Sequence, residues 1–133
     1  MSNVHRMVGF GFLLCLVGAL NAQEPKVDAA KIGRARADVA TLKMALNQFR
    51  LDCDRYPTTK EGLLGLQQCQ PGLEKKWRGP YLSKKCAPDP WGRPYVYLAK
   101  SPKGKKGFSV LSYGADGKPG GKGINADIVE GSD

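Results

Sequence analysis

Between Asp28 and Leu51 the apolar residues Ile32, Ala35, Val39, Leu42, Ala45, Leu46 and Phe49 recur at spacings of three and four. That period places them on one stripe of an α-helix. Arg34, Arg36, Asp38, Lys43, Gln48 and Arg50 fall on the other side. A stripe of this length has to be covered, and the remaining chain must supply the cover. Asp28 is a competent N-cap, with Pro25 just upstream. Asp52-Cys53-Asp54 ends the helix, ahead of Pro57.

The chain downstream is short-element material. Thr58-Thr59-Lys60-Glu61 fits a capping box and predicts a second short helix to about Gln68, burying Leu63, Leu66 and Leu64. Pro71 and Gly72 end it. Trp77-Arg78-Gly79-Pro80-Tyr81-Leu82 is irregular and brings Trp77 and Tyr81 to the helix stripe. Pro88-Asp89-Pro90-Trp91-Gly92-Arg93-Pro94 is turn chemistry throughout. Tyr95–Leu98 and Phe108–Tyr113 are aromatic or β-branched and read as strands joined by a hairpin through Ser101–Gly107; Ile124–Val129 adds a third. One long helix, one short helix and a small antiparallel sheet make an α+β domain.

Upstream, Met1–Arg6 is polar and positive, Met7–Leu20 is uncharged and apolar, and Ala22 is a small residue at a natural cut. This is the layout of a signal peptide over residues 1–22, followed by one globular domain over 23–133. The apolar run is shorter than the roughly 20 residues a permanent helical span takes. Periplasmic or secreted localisation is therefore expected. Cys15 leaves with the leader, and Cys53, Cys69 and Cys86 remain in an oxidising compartment. They allow one disulfide and one thiol. Cys53–Cys69 and Cys69–Cys86 close loops of similar size, and either contributes about 3 kcal/mol in the chain-entropy model. Cys53–Cys69, which joins the end of the long helix to the end of the next, is the preferred pairing.

The net charge is +9 in 133 residues. The lysines sit in pairs inside turns (Lys75/Lys76, Lys84/Lys85, Lys105/Lys106), without interleaved aromatics or a common helix face, so the expectation is a solvated basic surface and no nucleic-acid partner. Catalysis is not expected either. His5, the single histidine, lies in the leader, and neither a nucleophile motif nor paired carboxylates in an apolar setting occur.

Gly114-Ala115-Asp116-Gly117-Lys118-Pro119-Gly120-Gly121-Lys122-Gly123 lacks the residue order of a phosphate loop and is too short for collagen. Two readings stand for it: a structural turn, or a calcium loop in which Asp116 and Asp127 close on one ion with inward-turned carbonyls.

Four motifs in order carry a resemblance. They are Leu51-Asp52-Cys53-Asp54-Arg55-Tyr56-Pro57-Thr58-Thr59-Lys60-Glu61-Gly62-Leu63, Trp77–Leu82, Asp89-Pro90-Trp91-Gly92-Arg93-Pro94-Tyr95-Val96-Tyr97, and Ser112–Gly117 with Gly120-Gly121 and Ala126-Asp127-Ile128. Over residues 25–128 the chain resembles the major pseudopilins, the G-type subunits of bacterial type II secretion systems. The resemblance implies a pilin-like fold and assembly with other pseudopilus subunits, including copies of itself, in a periplasmic filament for protein export. It also implies a calcium-stabilised C-terminal loop, with Asp116 and Asp127 as acidic ligands and backbone oxygens of Leu111 and Tyr113 as helpers. Two departures stand out. Lys122, Ile124 and Asn125 occupy positions that are usually acidic in that family. Gly9-Phe10-Gly11-Phe12-Leu13-Leu14 lacks the glutamate of the usual pseudopilin N-terminus. An inner-membrane-anchored subunit is the alternative localisation, and a soluble exported pilin-like module that binds DNA or an acidic partner is the alternative function.

Overall fold

The computed structural model describes residues 24–100 and 106–132; the signal-peptide reading of residues 1–22 lies outside them. Helix α1 spans Glu24–Cys53. It therefore includes Asp28, which is no N-cap. Pro25 is compatible with this because a first-turn residue has no intrahelical acceptor for its N–H to lose. The far end stops as expected: Asp54 turns left-handed at φ 61°, and its N–H donates to the Arg50 carbonyl at 2.8 Å, a C-terminal cap of the αL type.

The predicted stripe is the core. Ala35, Val39, Leu42, Ala45, Leu46 and Phe49 are buried, with Ile32 packed at its edge. The cover is a three-stranded antiparallel sheet, β1 (Val96–Ala99), β2 (Phe108–Ser112) and β3 (Ile128–Gly131), in the order β1-β2-β3. Tyr97 aligns with Val110, and Val110 with Glu130. That row faces the helix: Tyr97 and Val110 are buried, and Glu130 accepts from Lys43 of α1 at 3.1 Å. Phe108 is fully buried between Tyr56, edge-on at 4.8 Å, and Tyr97, stacked at 6.1 Å. Burying one such aromatic contributes about 1.5–3 kcal/mol. Tyr95 donates its hydroxyl to Asp38 at 2.7 Å, and burial followed by this bond pushes its phenol well above the ordinary range.

Two elements depart from expectation. The capping box forms: Glu61 N–H donates to Thr58 Oγ1 at 3.2 Å, and Glu61 accepts from Thr58 N–H at 2.9 Å. It closes a turn, however, and no second α-helix follows. Gly62 sits at φ 60°, which breaks right-handed propagation, and the chain continues as a 3₁₀ helix over Gly62–Leu66. Leu66 is buried there, Leu63 is partly covered and Leu64 is exposed. The third strand also begins later than Ile124, because Gly123–Asn125 form a 3₁₀ turn that folds the loop back before Ile128 reaches its partner Ser112.

Tyr81 reaches the helix end as expected, and Trp77 packs behind it at the edge of the core. Tyr81 meets Phe49 and Trp77 edge-on, both at 5.7 Å, and donates its hydroxyl to Asp52 at 2.9 Å. Trp77 Nε1–H donates to the Gly65 carbonyl. Gly79 is obligatory here, since a Cβ would lie 2.5 Å from the Trp77 ring.

Arg55 holds Glu61 through two 2.8 Å bonds, in a setting where both side chains are about one-fifth exposed. Arg55, opposed in part by burial and helped by Thr58, keeps the Glu61 carboxyl below its ordinary 4.5. A lowered folded-state value means the pair stabilises fully above the unfolded pKa and loses that contribution as pH falls through the folded one. Glu61→Ala should cost about 2 kcal/mol at pH 7. In urea titrations of both proteins, the difference should shrink below about pH 4.

Candidate functional site

The C-terminal loop is built on a carboxylate that the sequence reading treats only as part of a turn. Asp89 is buried. Its Oδ1 accepts from the backbone N–H of Trp91 at 3.0 Å and of Arg93 at 2.9 Å, and its own N–H donates to the Arg93 carbonyl. Its Oδ2 accepts from the Ser112 hydroxyl at 2.7 Å, and Ser112 Oγ in turn accepts from Gly114 N–H at 3.2 Å. One carboxylate thus closes the Asp89–Arg93 turn and fixes the exit of β2, where the glycine loop begins.

That turn also aims Arg93 at the loop. Arg93 Nη1–H donates to the carbonyls of Gly114 at 3.2 Å and Ala115 at 3.1 Å. Gly117, at φ 66°, lets the guanidinium lie against the backbone; a Cβ there would sit 2.5 Å from Arg93 Nε. Gly114, at φ 72°, is pressed against the other limb, with the Ile124 and Ala126 carbonyls each 2.8 Å from where its Cβ would be. Ala115 N–H donates to Ile124 O at 2.9 Å. The glycines are conformational requirements of a tightly folded loop.

Asp116 and Asp127 both address one turn of this loop. Asp116 Oδ1 accepts from Lys118 N–H at 3.1 Å, and Asp127 Oδ2 accepts from Gly120 N–H at 3.0 Å. Asp116 is exposed. Asp127 Oδ1 is buried and has no hydrogen-bond partner. Leu111 lies inside the central strand, aligned with Val96 and Val129, and Tyr113 follows that strand. Among the described residues no three Asp, Glu, His or Cys side chains converge. Asp116 and Asp127 offer carboxylate oxygens to the loop, while the Gly114 and Ala115 carbonyls already accept from Arg93. Calcium takes carboxylate and backbone oxygens, and the orphaned Asp127 Oδ1 is the one oxygen here that such an ion would satisfy. Lys118, Lys122 and Arg93 oppose a divalent ion and weaken the fit.

Among the described residues the three cysteines are separate thiols: Cys53 buried, Cys69 exposed and Cys86 half-buried. No described helix is long and apolar enough to cross a membrane.

Residues 24–131 match the family described as type II secretion system (T2SS), protein G. The chain belongs to that family. It is 40% identical over 124 residues to the type II secretion system core protein G of Pseudomonas aeruginosa, covering 92% of this chain and 84% of that protein. The core protein G of Vibrio cholerae is 37% identical over 115 residues, covering 85% and 75%. Among solved structures, the major pseudopilin of enterohaemorrhagic Escherichia coli superposes with a TM-score of 0.59 at 26% identity, covering 89% of this chain and 95% of that one. Protein G membership and the helix-on-sheet architecture bear out the pilin-like α+β reading and favour a structural secretion component over a soluble binding module.

The sequence places Asp89 and Arg93 in a turn motif but does not reveal their bonds to Ser112 and to the loop carbonyls. Their partners lie some twenty residues away, on the far side of a hairpin. Asp89→Ala should leave the Ser112 hydroxyl and two backbone N–H groups without acceptors and destabilise the domain by about 3 kcal/mol or more. Thermal melting of the purified variant measures the loss.

Proposed function

We propose that this protein is a structural subunit of the pseudopilus of a type II secretion system, assembling with copies of itself and with other pseudopilus subunits and carrying no catalytic activity. The observation that carries the proposal is the protein G match across residues 24–131. The helix adds support. While one side of α1 is sealed by the sheet, Met44 and Leu51 stand 74% and 75% exposed on the other, about two turns apart and therefore in line. Large apolar side chains in line on a helix suit burial against a neighbouring subunit. Under this reading the globular domain works in the periplasm, and residues 1–22 serve as its export leader or inner-membrane anchor.

The C-terminal loop is proposed to take calcium through Asp127, Asp116 and backbone carbonyls near Tyr113. When bound, the ion would draw the two limbs of the loop together. With only two carboxylates against Arg93, Lys118 and Lys122, affinity belongs to the weak range of extracellular modules, on the order of 10⁻⁴–10⁻³ M.

The double substitution Met44→Glu with Leu51→Glu should leave the melting temperature within about 2 °C of the parent, since both side chains are exposed. It should abolish intersubunit cross-linking and secretion when it replaces the parent gene. Normal secretion by the variant would count against assembly through this face.

Millimolar calcium should raise the melting temperature, and EGTA should reverse the rise, because an ion bound only by the folded state stabilises it. Asp127→Asn should remove that response, as read by scanning calorimetry.

A further inference from the structure

Tyr81 holds two distant parts of the chain together. Its hydroxyl donates to Asp52, beside the final α1 residue Cys53, and its ring packs on Phe49. Its backbone N–H donates to the Leu66 carbonyl at 2.7 Å, at the end of the 3₁₀ helix that leads to Cys69. The helix end and the segment ending in Cys69 are therefore fastened around one side chain. Burial raises the Cys53 thiol pKa, a hydrogen bond with Tyr81 lowers it, Asp52 raises it, Arg55 lowers it, and Cys69 raises it again. Cys69 lies three residues beyond Leu66, on the segment that the Tyr81 backbone holds against this end of α1.

Cys86 sits elsewhere. Its thiol is raised by burial and by Asp38, and with Asp38, Tyr95 and Leu42 it lines a cleft of about 310 Å³. Asp38 is about four helical turns, roughly 22 Å, from Cys53. Disulfides need Cα atoms within about 7 Å, so Cys86 is out of reach of the helix end.

We infer that Cys53 and Cys69 form an intrachain disulfide in the exported protein, made by exchange with the disulfide of an exported dithiol oxidase that enters at Cys69, while Cys86 remains a thiol. The inference rests on the periplasmic reading. The exposed Cys69 loses its proton to solvent, and its thiolate attacks the oxidase disulfide, giving a mixed disulfide and an oxidase thiolate that takes up a proton. The buried Cys53, as thiolate, then attacks the Cys69 sulfur and expels the second oxidase sulfur, which is protonated. Two electrons and two protons pass to the oxidase, which leaves as a dithiol. The bridge ties the end of α1 to the segment that covers it.

Two experiments on the full chain separate this inference from the reading beneath it. In the first, purified reduced protein is equilibrated with glutathione disulfide, blocked with a maleimide and mapped by mass spectrometry without reduction. The expected product is a Cys53–Cys69 peptide with Cys86 labelled. A Cys69–Cys86 or Cys53–Cys86 peptide, or labelling of both Cys53 and Cys69, overturns the inference. In the second, the same mapping is done on protein trapped in acid from whole cells. A bridge that forms with glutathione but is missing from cells overturns the export reading and leaves the pairing intact. Cys69→Ser should lower the melting temperature of the oxidised protein by about 10 °C and leave the reduced protein unchanged. Cys86→Ser should leave the bridge in place.

Discussion

The contact on which this domain depends is that between the α1 stripe and the aromatic inner face of the sheet. A three-stranded sheet of four- and five-residue strands has too little surface to bury a core alone. A helix of this composition is likewise marginal in water without a partner. Phe49 and Leu46 on one side, with Phe108 and Val110 on the other, are all fully buried, so each element supplies the cover the other lacks. Polar links pin this packing at its edges. Tyr95 to Asp38 and Lys43 to Glu130 tie sheet to helix, and Tyr97 donates to the Pro57 carbonyl at 2.7 Å.

The rest of the chain serves the two ends of that packing. At the end of α1, Tyr81, Trp77 and the Arg55–Glu61 pair hold the irregular segment that closes the core. At the exit of β2, Asp89 performs the corresponding task for the glycine loop. A buried carboxylate is tolerated there because it has three acceptor bonds. Arg93 then sits over the two loop carbonyls where a cation is electrostatically welcome. The loop thus has an internal positive charge at one limb and an unpartnered carboxylate oxygen at the other. The arrangement is that of a loop held by its own charges and backbone bonds.

Membership of the protein G family gives this architecture its use. In the proposed role, a subunit needs a rigid body and an outward-facing helix surface. The α1 helix meets both needs, because its core-facing and outward-facing residues are interleaved along the same turns. Fastening its C-terminal end to the Cys69 segment would keep that outward face from fraying under the forces of assembly.

How much of this was legible beforehand follows from the range of the interactions. The α1 stripe, the helix stop at Asp52-Cys53-Asp54, the capping-box bonds of Thr58 and Glu61, and the two main strands are local. Period, capping chemistry and β-propensity act over a few residues, and the sequence alone determined them. The start of α1 was misplaced because a proline in a first turn does not end a helix. The expected second α-helix is a 3₁₀ helix instead, because the φ that Gly62 adopts is not written in its neighbours. Asp89–Ser112, Arg93 with the loop carbonyls, and Tyr81 with Asp52 and the Leu66 carbonyl were decided by tertiary structure alone. Each joins residues that meet only after the helix has docked on the sheet, and no periodicity or motif records a contact whose geometry is set by the packing of everything between.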